Sequence, residues 1–422
     1  MLNKRIFLFN NNLNKNNNNQ LNNKNNINLV NDNNNNETKI NNKFEIELIS
    51  GQIINLNLLN KNIINKSNKI TLLNFNNNCK NKNEIFFSTS SNFNIEFNSI
   101  NLKENTSKII NNIELKEIPE ILSKNRFNKI SSIKISNILQ TKVYEEEDLY
   151  DYFIITDNSY YFLYDNKFKE LIKSGKPINS PCTVCMNIQL NKEVYILLGS
   201  ITSNVIIFDA YQNKILYTLE HNRKKITSLD FINNLNIILS SSVKENALYI
   251  WKQINNSNNN EIKFELNNSI KEHESIIWNI KNFEYNNYYY IVTAGGDKKI
   301  IIYKVIINNN DYGIMKILNI NEFNDSVILI NIKKLINNNI ILFCATFDGT
   351  IKVYSLEMGY NKYNSNNIKE LIYRNILIVF NKDFIINNML ILEKNKNNLL
   401  LLINTEAYNG YAIYEININY KK

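Results

Sequence analysis

The sequence is poor in the residues that build most catalytic and metal centres. Its 422 residues include two histidines, four cysteines, two tryptophans, three prolines and nine glycines. A metal ion or a general base at His221 or His273 would need partner side chains, and the sequence offers none beside either histidine. This scarcity excludes most hydrolases and metalloenzymes, so we expect no catalytic residue, metal, cofactor or small-molecule substrate.

The four cysteines are too few for a disulfide scaffold in a chain of this length, which favours reduced thiols in an intracellular protein. Cys182 and Cys185 have a spacing found in zinc and redox sites. A zinc site needs a second pair of ligands, but Cys79 and Cys344 are isolated. A redox pair is typical of a helix N-terminus, whereas CTVCMNI has the pattern of a strand. That pattern places Cys182, Val184 and Met186 on one face, and we interpret both thiols as structural.

Long apolar runs are also missing. None approaches the length of a membrane span, and IFLF at residues 6–9 is too short for a secretory signal. The first 40 residues contain 19 asparagines, unlike the arginine-rich and serine-rich composition of organelle transit peptides. We predict that residues 1–42 form a disordered Asn-rich tail and that the protein is intracellular, cytoplasmic or nuclear, without a membrane partner.

The abundant residues are asparagine and lysine. Asparagine occurs 91 times, and 44 of the 48 basic residues are lysines spread along the chain. Such a bias is typical of an AT-rich genome, and basic charge indicates nucleic acid only where it clusters. The net charge of +9 therefore does not by itself predict RNA binding. Because proline and glycine are scarce, we expect asparagine at many turns, where it tolerates the left-handed conformation.

From residue 43 to residue 422 the chain consists of short β-branched and aromatic runs separated by polar breaks, which predicts one all-β domain. Two segments 51 residues apart, IVTAGGDKKIIIYK (291–304) and LFCATFDGTIKVYS (342–355), repeat one pattern. Each has a strand, a turn with an aspartate, and a second strand that ends on a tyrosine. Such a unit is typical of a β-propeller blade.

An aromatic residue closes the third run of seven such units. These residues are Phe97, Tyr164, Phe208, Trp251, Tyr303, Tyr354 and Tyr414. The alignment predicts a single seven-bladed β-propeller, with eight blades as the alternative. The last unit lacks a fourth strand. We expect an N-terminal strand, either FEIELI at 44–49 or QIINLNLL at 52–59 beyond a Ser50–Gly51 turn, to complete it and close the ring.

In these residues the sequence resembles the WD-repeat propeller family. Blades of that family join a His, a Ser or Thr, an Asp and a Trp by hydrogen bonds. The resemblance implies this role for His273, Thr293, Asp297 and Tyr303 in the fifth unit. It implies the same for His221, Ser241 and Trp251 in the fourth unit, whose turn VKEN lacks the aspartate. The sixth unit keeps Asp348, with Cys344 and Tyr354 at the other positions.

The family resemblance also places the loops. The connections between blades and the turns between second and third strands share one face, and these segments are short here. Asn-rich insertions, including residues 255–260 and 361–367, follow third strands and belong to the opposite face. We therefore predict that partners bind the face with the short turns. The candidate contact residues are Arg223, Lys224, Asp297, Lys298 and Asp348.

The sequence favours a non-catalytic interaction scaffold, a WD-repeat propeller subunit of a eukaryotic multiprotein complex with protein partners. One alternative is the non-catalytic propeller subunit of a tRNA-modifying methyltransferase, which would bind RNA. Its support is the basic balance and the similarity of HESIIW and AGGDKKI to units in such subunits. The other alternative is the propeller methylesterase of the diphthamide pathway. The spacing of His273, Trp278 and Gly295–Gly296–Asp297 resembles a unit in that enzyme.

Overall fold

The computed structural model of the chain is built almost entirely of β-strands. It describes residues 44–54, 84–91, 94–101, 106–114 and 135–420. The last range has gaps at 142–150, 166–169, 203, 221–223, 255–260, 309–310, 336–338, 361–368, 381–384, 396–397 and 406–409. The predicted tail, residues 1–42, lies outside the described residues, and its disorder stays a prediction.

The strands of the described residues form seven antiparallel sheets, numbered here along the chain. Sheet 1 contains β2 (Glu84–Ser91), β3 (Asn94–Asn101) and β4 (Thr106–Glu114). Sheet 2 contains β5 (Ile135–Gln140), β6 (Tyr152–Thr156), β7 (Tyr161–Tyr164) and β8 (Leu171–Gly175). Sheet 3 contains β9 (Cys182–Leu190), β10 (Glu193–Ser200), β11 (Asn204–Asp209) and β12 (Lys214–Glu220). Sheet 4 contains β13 (Ile226–Ile232), β14 (Ile237–Ser242), β15 (Leu248–Gln253) and β16 (Phe264–Ile270).

The three remaining sheets follow the same order. Sheet 5 contains β17 (Ile277–Tyr285), β18 (Tyr288–Gly295), β19 (Ile300–Asn308) and β20 (Asp311–Ile320). Sheet 6 contains β21 (Val327–Lys334), β22 (Ile340–Thr346), β23 (Thr350–Tyr360) and β24 (Lys369–Phe380). Sheet 7 contains β25 (Ile386–Asn395), β26 (Asn398–Thr405), β27 (Gly410–Tyr420) and the N-terminal β1 (Phe44–Ile54).

The second strands are mostly buried, which explains their nearly continuous apolar sequences. Every residue of β6, β14 and β22 is buried, and β10 and β18 are buried except for their first two residues, whereas the fourth strand β8 has no buried residue. A sheet covered on both faces selects apolar residues at every position rather than at alternate ones. The core therefore lies between the sheets, in five apolar clusters that join successive sheets from the second to the seventh. Each fully buried Ile or Leu contributes about 1.5–3 kcal/mol to this packing.

The first strands of successive sheets pack against one another in chain order, from β5 through β9, β13, β17 and β21 to β25. First strands therefore line the centre of the array, and fourth strands lie at its edge. This arrangement confirms the predicted all-β propeller. The seven aligned aromatic residues all lie on the predicted strands, with Phe97 on the middle strand of sheet 1. Eight blades, the alternative, would require a further sheet from residues outside the described ranges.

The N-terminal strand completes the last sheet, as the sequence predicts. Residues 44–54 form one continuous strand that pairs antiparallel with β27 from Phe44 opposite Tyr420 to Ile54 opposite Tyr411. The predicted turn at Ser50–Gly51 is wrong, because the strand runs through it with only a bulge between Leu48 and Ser50. The first candidate segment, 44–49, and the first three residues of the second, 52–54, therefore belong to the same strand.

A β-bulge recurs near the start of the first strand in six sheets. The bulged residues are Ser136, Thr183, Thr227, Trp278, Ile328 and Asn387. A bulge inserts one residue and moves the preceding side chain to the other face. This corrects the prediction for Cys182, which packs with Cys185 in one cluster while Val184 and Met186 pack in another.

Asparagine occupies most of the strained turn positions. Ten non-glycine residues in the described chain have positive φ, and six of them are asparagines. Asparagine adopts this conformation at lower cost than most side chains because its amide can bond the local backbone. The expectation that asparagine replaces glycine at turns is therefore confirmed for these positions.

Candidate functional site

His273, Thr293 and Asp297 form a buried hydrogen-bonded network in sheet 5. His273 Nδ1 lies 2.9 Å from Asp297 Oδ1, and its Nε2 lies 2.8 Å from Thr293 Oγ1. The side chains of His273 and Asp297 are 0% and 4% exposed. The network ties the segment before β17 to the end of β18 and to the turn that follows it. The sequence predicts these three residues together.

The electrostatics of this network follow from its burial and its donors. Burial by itself would raise the pKa of the Asp297 carboxyl. The hydrogen bonds from His273 and from the backbone N–H of Glu274 outweigh that effect and lower the pKa below its ordinary value. Asp297 is thus a carboxylate that accepts from Nδ1–H. The opposite nitrogen, Nε2, lies 2.8 Å from the Thr293 hydroxyl, which also donates to Ile301 O at 3.3 Å.

Gly295 makes room for the network. A Cβ atom at this position would lie 2.3 Å from Asp297 Oδ1 and 2.4 Å from His273 Nδ1. The corresponding last residues of the other second strands are small and carry a hydroxyl: Thr156, Ser200, Ser242, Thr346 and Thr405. Where the side chain is described, the hydroxyl bonds within its own turn. Glycine therefore accompanies the histidine network, and hydroxyl residues stabilise the turns that lack it.

The fourth unit differs from the prediction by one residue. Trp251 Nε1 donates to Ser240 Oγ at 2.9 Å, so Ser240 takes the part that the sequence assigns to Ser241. Ser241 instead lies 2.8 Å from Thr227 Oγ1 and donates weakly to Ile277 O of sheet 5. The error arises because residues 240–242 are all serines, and the sequence alone does not show which of them faces Trp251. His221 and Arg223 lie outside the described residues.

Glu245 occupies the turn that lacks the aspartate. Its carboxylate forms an ion pair with Lys224 at 3.5 Å and accepts hydrogen bonds from Tyr249 and Ser242. Burial would raise the pKa of Glu245, but the Tyr249 hydrogen bond and the Lys224 charge together lower it. The pair Lys224–Glu245 thus links turn and preceding segment, as His273 and Asp297 do in sheet 5. The presence of Glu245 in the turn VKEN is the sequence signal that could have revealed this ion pair.

The sixth unit holds its turn by a local network. The Thr346 hydroxyl and the Thr350 backbone N–H both donate to Asp348, whose pKa they lower against the opposing effect of burial. Cys344 and Tyr354 are fully buried at the positions that correspond to Thr293 and Tyr303. Neither tyrosine hydroxyl is within hydrogen-bonding geometry of a described residue.

The turns between second and third strands and the segments that precede first strands lie together, and we call them the short-turn face. Its described parts are residues 157–160, 176–181, 201–202, 224–225, 243–247, 271–276, 296–299, 321–326 and 347–349. Backbone hydrogen bonds join four of these turns to the segment that precedes their own first strand: Ile201 N to Pro181 O, Val243 N to Lys225 O, Gly296 N to Ile276 O and Phe347 N to Ser326 O.

Hydroxyl groups also connect neighbouring sheets along the short-turn face. Each donates to a backbone carbonyl of the adjacent sheet. The pairs are Ser159 with Ser180 (2.6 Å), Thr183 with Ile226 (2.7 Å), Thr227 with Ile277 (2.7 Å) and Ser326 with Gly296 (3.2 Å). These bonds span sheets 2 to 6 without a break. The face is therefore a fixed surface whose turns are positioned by one another.

Comparison with solved structures agrees with this architecture. The chain is similar to a chain of a structure described as "Crystal Structure of Mitotic Checkpoint Complex", with a TM-score of 0.54 and 11% sequence identity. The alignment covers 87% of this chain and 94% of that chain. The fold is a β-propeller of the WD-repeat type. No protein-family model matches the sequence, and no curated protein matches it.

Two aromatic side chains of the propeller are exposed on its short-turn face. Trp278, on the bulge of β17, is 37% exposed, and Phe347, in the turn before β23, is 52% exposed. Ser326 lies between them, because its hydroxyl donates to Gly296 O and its carbonyl accepts from Phe347 N. In the sequence, Trp278 is marked only by the esterase resemblance, and no pattern marks Phe347.

The predicted contact residues have different environments. Lys298 and Asp348 are exposed, Lys224 is paired with Glu245, and Arg223 is not described. The prediction that Asp297 contacts a partner is wrong, because its carboxylate is buried in the His273 network and does not reach the surface. Lys225, Lys244 and Lys298 are exposed and form no ion pair with any described residue.

The described part of the chain contains no group of three or more His, Cys, Asp or Glu side chains arranged to hold a metal ion. It also contains no helix long and apolar enough to cross a membrane. The unit that resembles an esterase has its histidine buried, with both ring nitrogens engaged. His273 therefore stabilises the blade in this structure and has no exposed nitrogen to offer a substrate.

Proposed function

We propose that this propeller is a non-catalytic interaction scaffold that holds protein partners on its short-turn face as a subunit of a eukaryotic multiprotein complex. One observation carries the proposal. Trp278 and Phe347 are exposed aromatics on a surface that is otherwise fixed by hydrogen bonds. Exposed large aromatic side chains at neighbouring positions are typical of protein contact sites.

The hydrogen bonds between sheets support this function. A surface whose turns are already ordered loses little conformational freedom when a partner binds, so more of the contact free energy appears as affinity. The hydroxyl bonds from sheet 2 to sheet 6 provide that order. The similarity to a chain from a multiprotein complex is an analogy of fold and adds support only at that level.

The test is affinity purification of the tagged chain from its native cells, with mass spectrometry of the proteins that co-elute. The variant Phe347→Asp is compared with Ile307→Asp. Ile307 is 55% exposed and lies in β19, near the end of this third strand that is opposite to the short-turn face. We expect a stoichiometric partner set that Phe347→Asp loses and Ile307→Asp keeps. A wild-type chain that elutes alone would refute the scaffold proposal.

The RNA-binding alternative has one favourable observation, the unpaired lysines at 225, 244 and 298. It predicts that RNA co-elutes with the chain and that its affinity falls steeply with salt, because each phosphate contact releases a counterion. The methylesterase alternative rests on the sequence resemblance alone. Methyl-ester hydrolysis by the purified chain would place it above the scaffold.

A further inference from the structure

Two polar groups meet over Gly296 on the short-turn face, and we call the surface that they form with this glycine the notch. A Cβ atom at Gly296 would lie 2.7 Å from Ser275 Oγ and 3.2 Å from Trp278 Nε1, so these two groups lie close together over the glycine and leave no room for a side chain there. Neither the Trp278 N–H nor the Ser275 hydroxyl has a hydrogen-bond partner among the described residues. The notch therefore presents two unused donors around a floor without a side chain.

Three exposed lysines lie on the turns of the two sheets beside the notch. Lys298 lies two residues after Gly296 in the same turn. Its side chain is exposed, and its backbone has a positive φ of 64°. On sheet 4, Lys225 and Lys244 are also exposed and unpaired. Sheet 4 adjoins the notch directly, because the Thr227 hydroxyl donates to Ile277 O beside Trp278. Two donors with exposed lysines on the neighbouring turns are complementary to a carboxylate.

Apolar surface continues from the notch toward sheet 6. Phe347 is exposed there. Ser326 connects it to Gly296, because the Ser326 hydroxyl donates to Gly296 O and the Ser326 carbonyl accepts from Phe347 N. Exposed acids lie on both sides of this surface, Glu274 beside the notch and Asp348 beside Phe347. These carboxylates would repel a continuous phosphate backbone, whereas a peptide with one acidic and one apolar residue avoids both. The surface therefore favours a peptide over RNA.

We propose that the notch over Gly296 binds a carboxylate side chain of an acidic partner segment, and that a neighbouring apolar residue of that segment packs on Phe347. This inference rests on the proposed scaffold function and specifies its partner. Trp278 Nε1–H and the Ser275 hydroxyl donate to the carboxylate, and Lys298 supplies the compensating charge. The same arrangement explains why the bulge of β17 carries an indole where other sheets carry smaller side chains.

Binding to the purified full chain tests the proposal by fluorescence polarisation with three labelled 12-residue peptides. The first contains one Glu next to one Leu in an otherwise uncharged sequence, the second has Gln for the Glu, and the third has Lys for the Glu. A labelled 12-nucleotide RNA is the fourth probe. We expect the acidic peptide to bind at least about tenfold more tightly than the other probes. Equal binding of the Gln peptide, or tighter binding of RNA, would overturn the proposal.

Three variants locate the site. Trp278→Phe keeps an aromatic ring but removes the donor, and we expect about tenfold weaker binding of the acidic peptide. Lys298→Gln removes one charge, and we expect about threefold weaker binding at low salt and less at high salt. Lys192→Gln is the control, since Lys192 is also an exposed turn lysine with positive φ, on the opposite face. Unchanged binding in Trp278→Phe would overturn the assignment.

The outcome is separable from that of the scaffold proposal. If partners co-elute with the chain and Phe347→Asp loses them, but Trp278→Phe and Lys298→Gln bind normally, the scaffold stands and the notch is refuted. If no partner co-elutes with the wild-type chain, the scaffold itself is refuted whatever the peptides show. Partners lost in Trp278→Phe but kept in Lys192→Gln would support both.

Discussion

The hydroxyl of Tyr354 should destabilise the propeller, so that its removal strengthens the fold. Tyr354 is fully buried in sheet 6, where its ring meets Phe323 and Tyr373 edge-on. Its Oη has no hydrogen-bond partner among the described residues, and burial raises its pKa well above the ordinary value for tyrosine. Phenylalanine at this position keeps both ring contacts and removes only the unpaired hydroxyl.

The size of the effect follows from two opposing contributions. A buried hydroxyl without a partner costs about 1–3 kcal/mol of desolvation. Removing its oxygen leaves a void smaller than a methyl group, which costs a few tenths of a kcal/mol at about 24 cal/mol per Å³. Tyr354→Phe should therefore raise the free energy of unfolding by about 1 kcal/mol.

Tyr161→Phe is the matched control. Tyr161 is equally buried between Phe153 and Phe208, but its hydroxyl donates to Ala210 O at 3.2 Å. Losing this bond should lower the free energy of unfolding by about 1 kcal/mol and leave a buried carbonyl unpaired. Guanidinium chloride denaturation, with equal m-values for all three proteins, measures both changes. If Tyr354→Phe is destabilised as much as Tyr161→Phe, the reasoning is wrong.

Three further predictions concern the networks and the loops. Gly295→Ala should lower the free energy of unfolding by about 1–3 kcal/mol, because the added Cβ overlaps His273 and Asp297. Gly313→Ala is the control in the same denaturation assay. It should change the free energy of unfolding little, because the nearest atom to its Cβ is 3.6 Å away. Because the folded pKa of Asp297 is lowered, its contribution is present above the unfolded pKa of about 4 and is lost as pH falls through the folded value. The difference in unfolding free energy between wild type and Asp297→Asn should therefore shrink from about pH 6 to about pH 3, and a constant difference would contradict this account. Deletion of residues 255–260 or 361–367 should leave co-purification of partners intact, because these loops follow third strands; loss of partners in either deletion would remove the short-turn face as the binding surface.

Much of the fold is readable from the sequence because propeller blades repeat. The two segments with an aspartate turn lie in sheets 5 and 6 at equivalent positions, and six of the seven aligned aromatics lie on the third strand of their sheet, whereas Phe97 lies on the middle strand of sheet 1. The histidine network was also predicted, because the resemblance to WD-repeat blades assigns His273, Thr293 and Asp297 to it. In these places local pattern and tertiary contact agree.

Register at single-residue precision was not readable. The run Ser240–Ser242 offers three equivalent hydroxyls, and only the pairing of β14 with β15 selects Ser240 for Trp251. Likewise, the alternation of CTVCMNI places Cys182 with Val184, but the bulge at Thr183 moves Cys182 to the other face. Bulges depend on the adjacent strand and leave no mark in the composition of their own strand.

The sequence by itself determined an all-β repeat, its aromatic register and the pairing of an N-terminal strand with the last sheet. The first two depend on patterns within a single strand or turn, and the third follows from the fourth strand that the last unit lacks. Only the tertiary structure decided which side chains remain on the surface. Asp297 is conspicuous in the sequence but buried, whereas Trp278 and Phe347 look like core residues and are exposed. Exposure depends on how neighbouring sheets approach one another, and no segment of the chain contains that information alone.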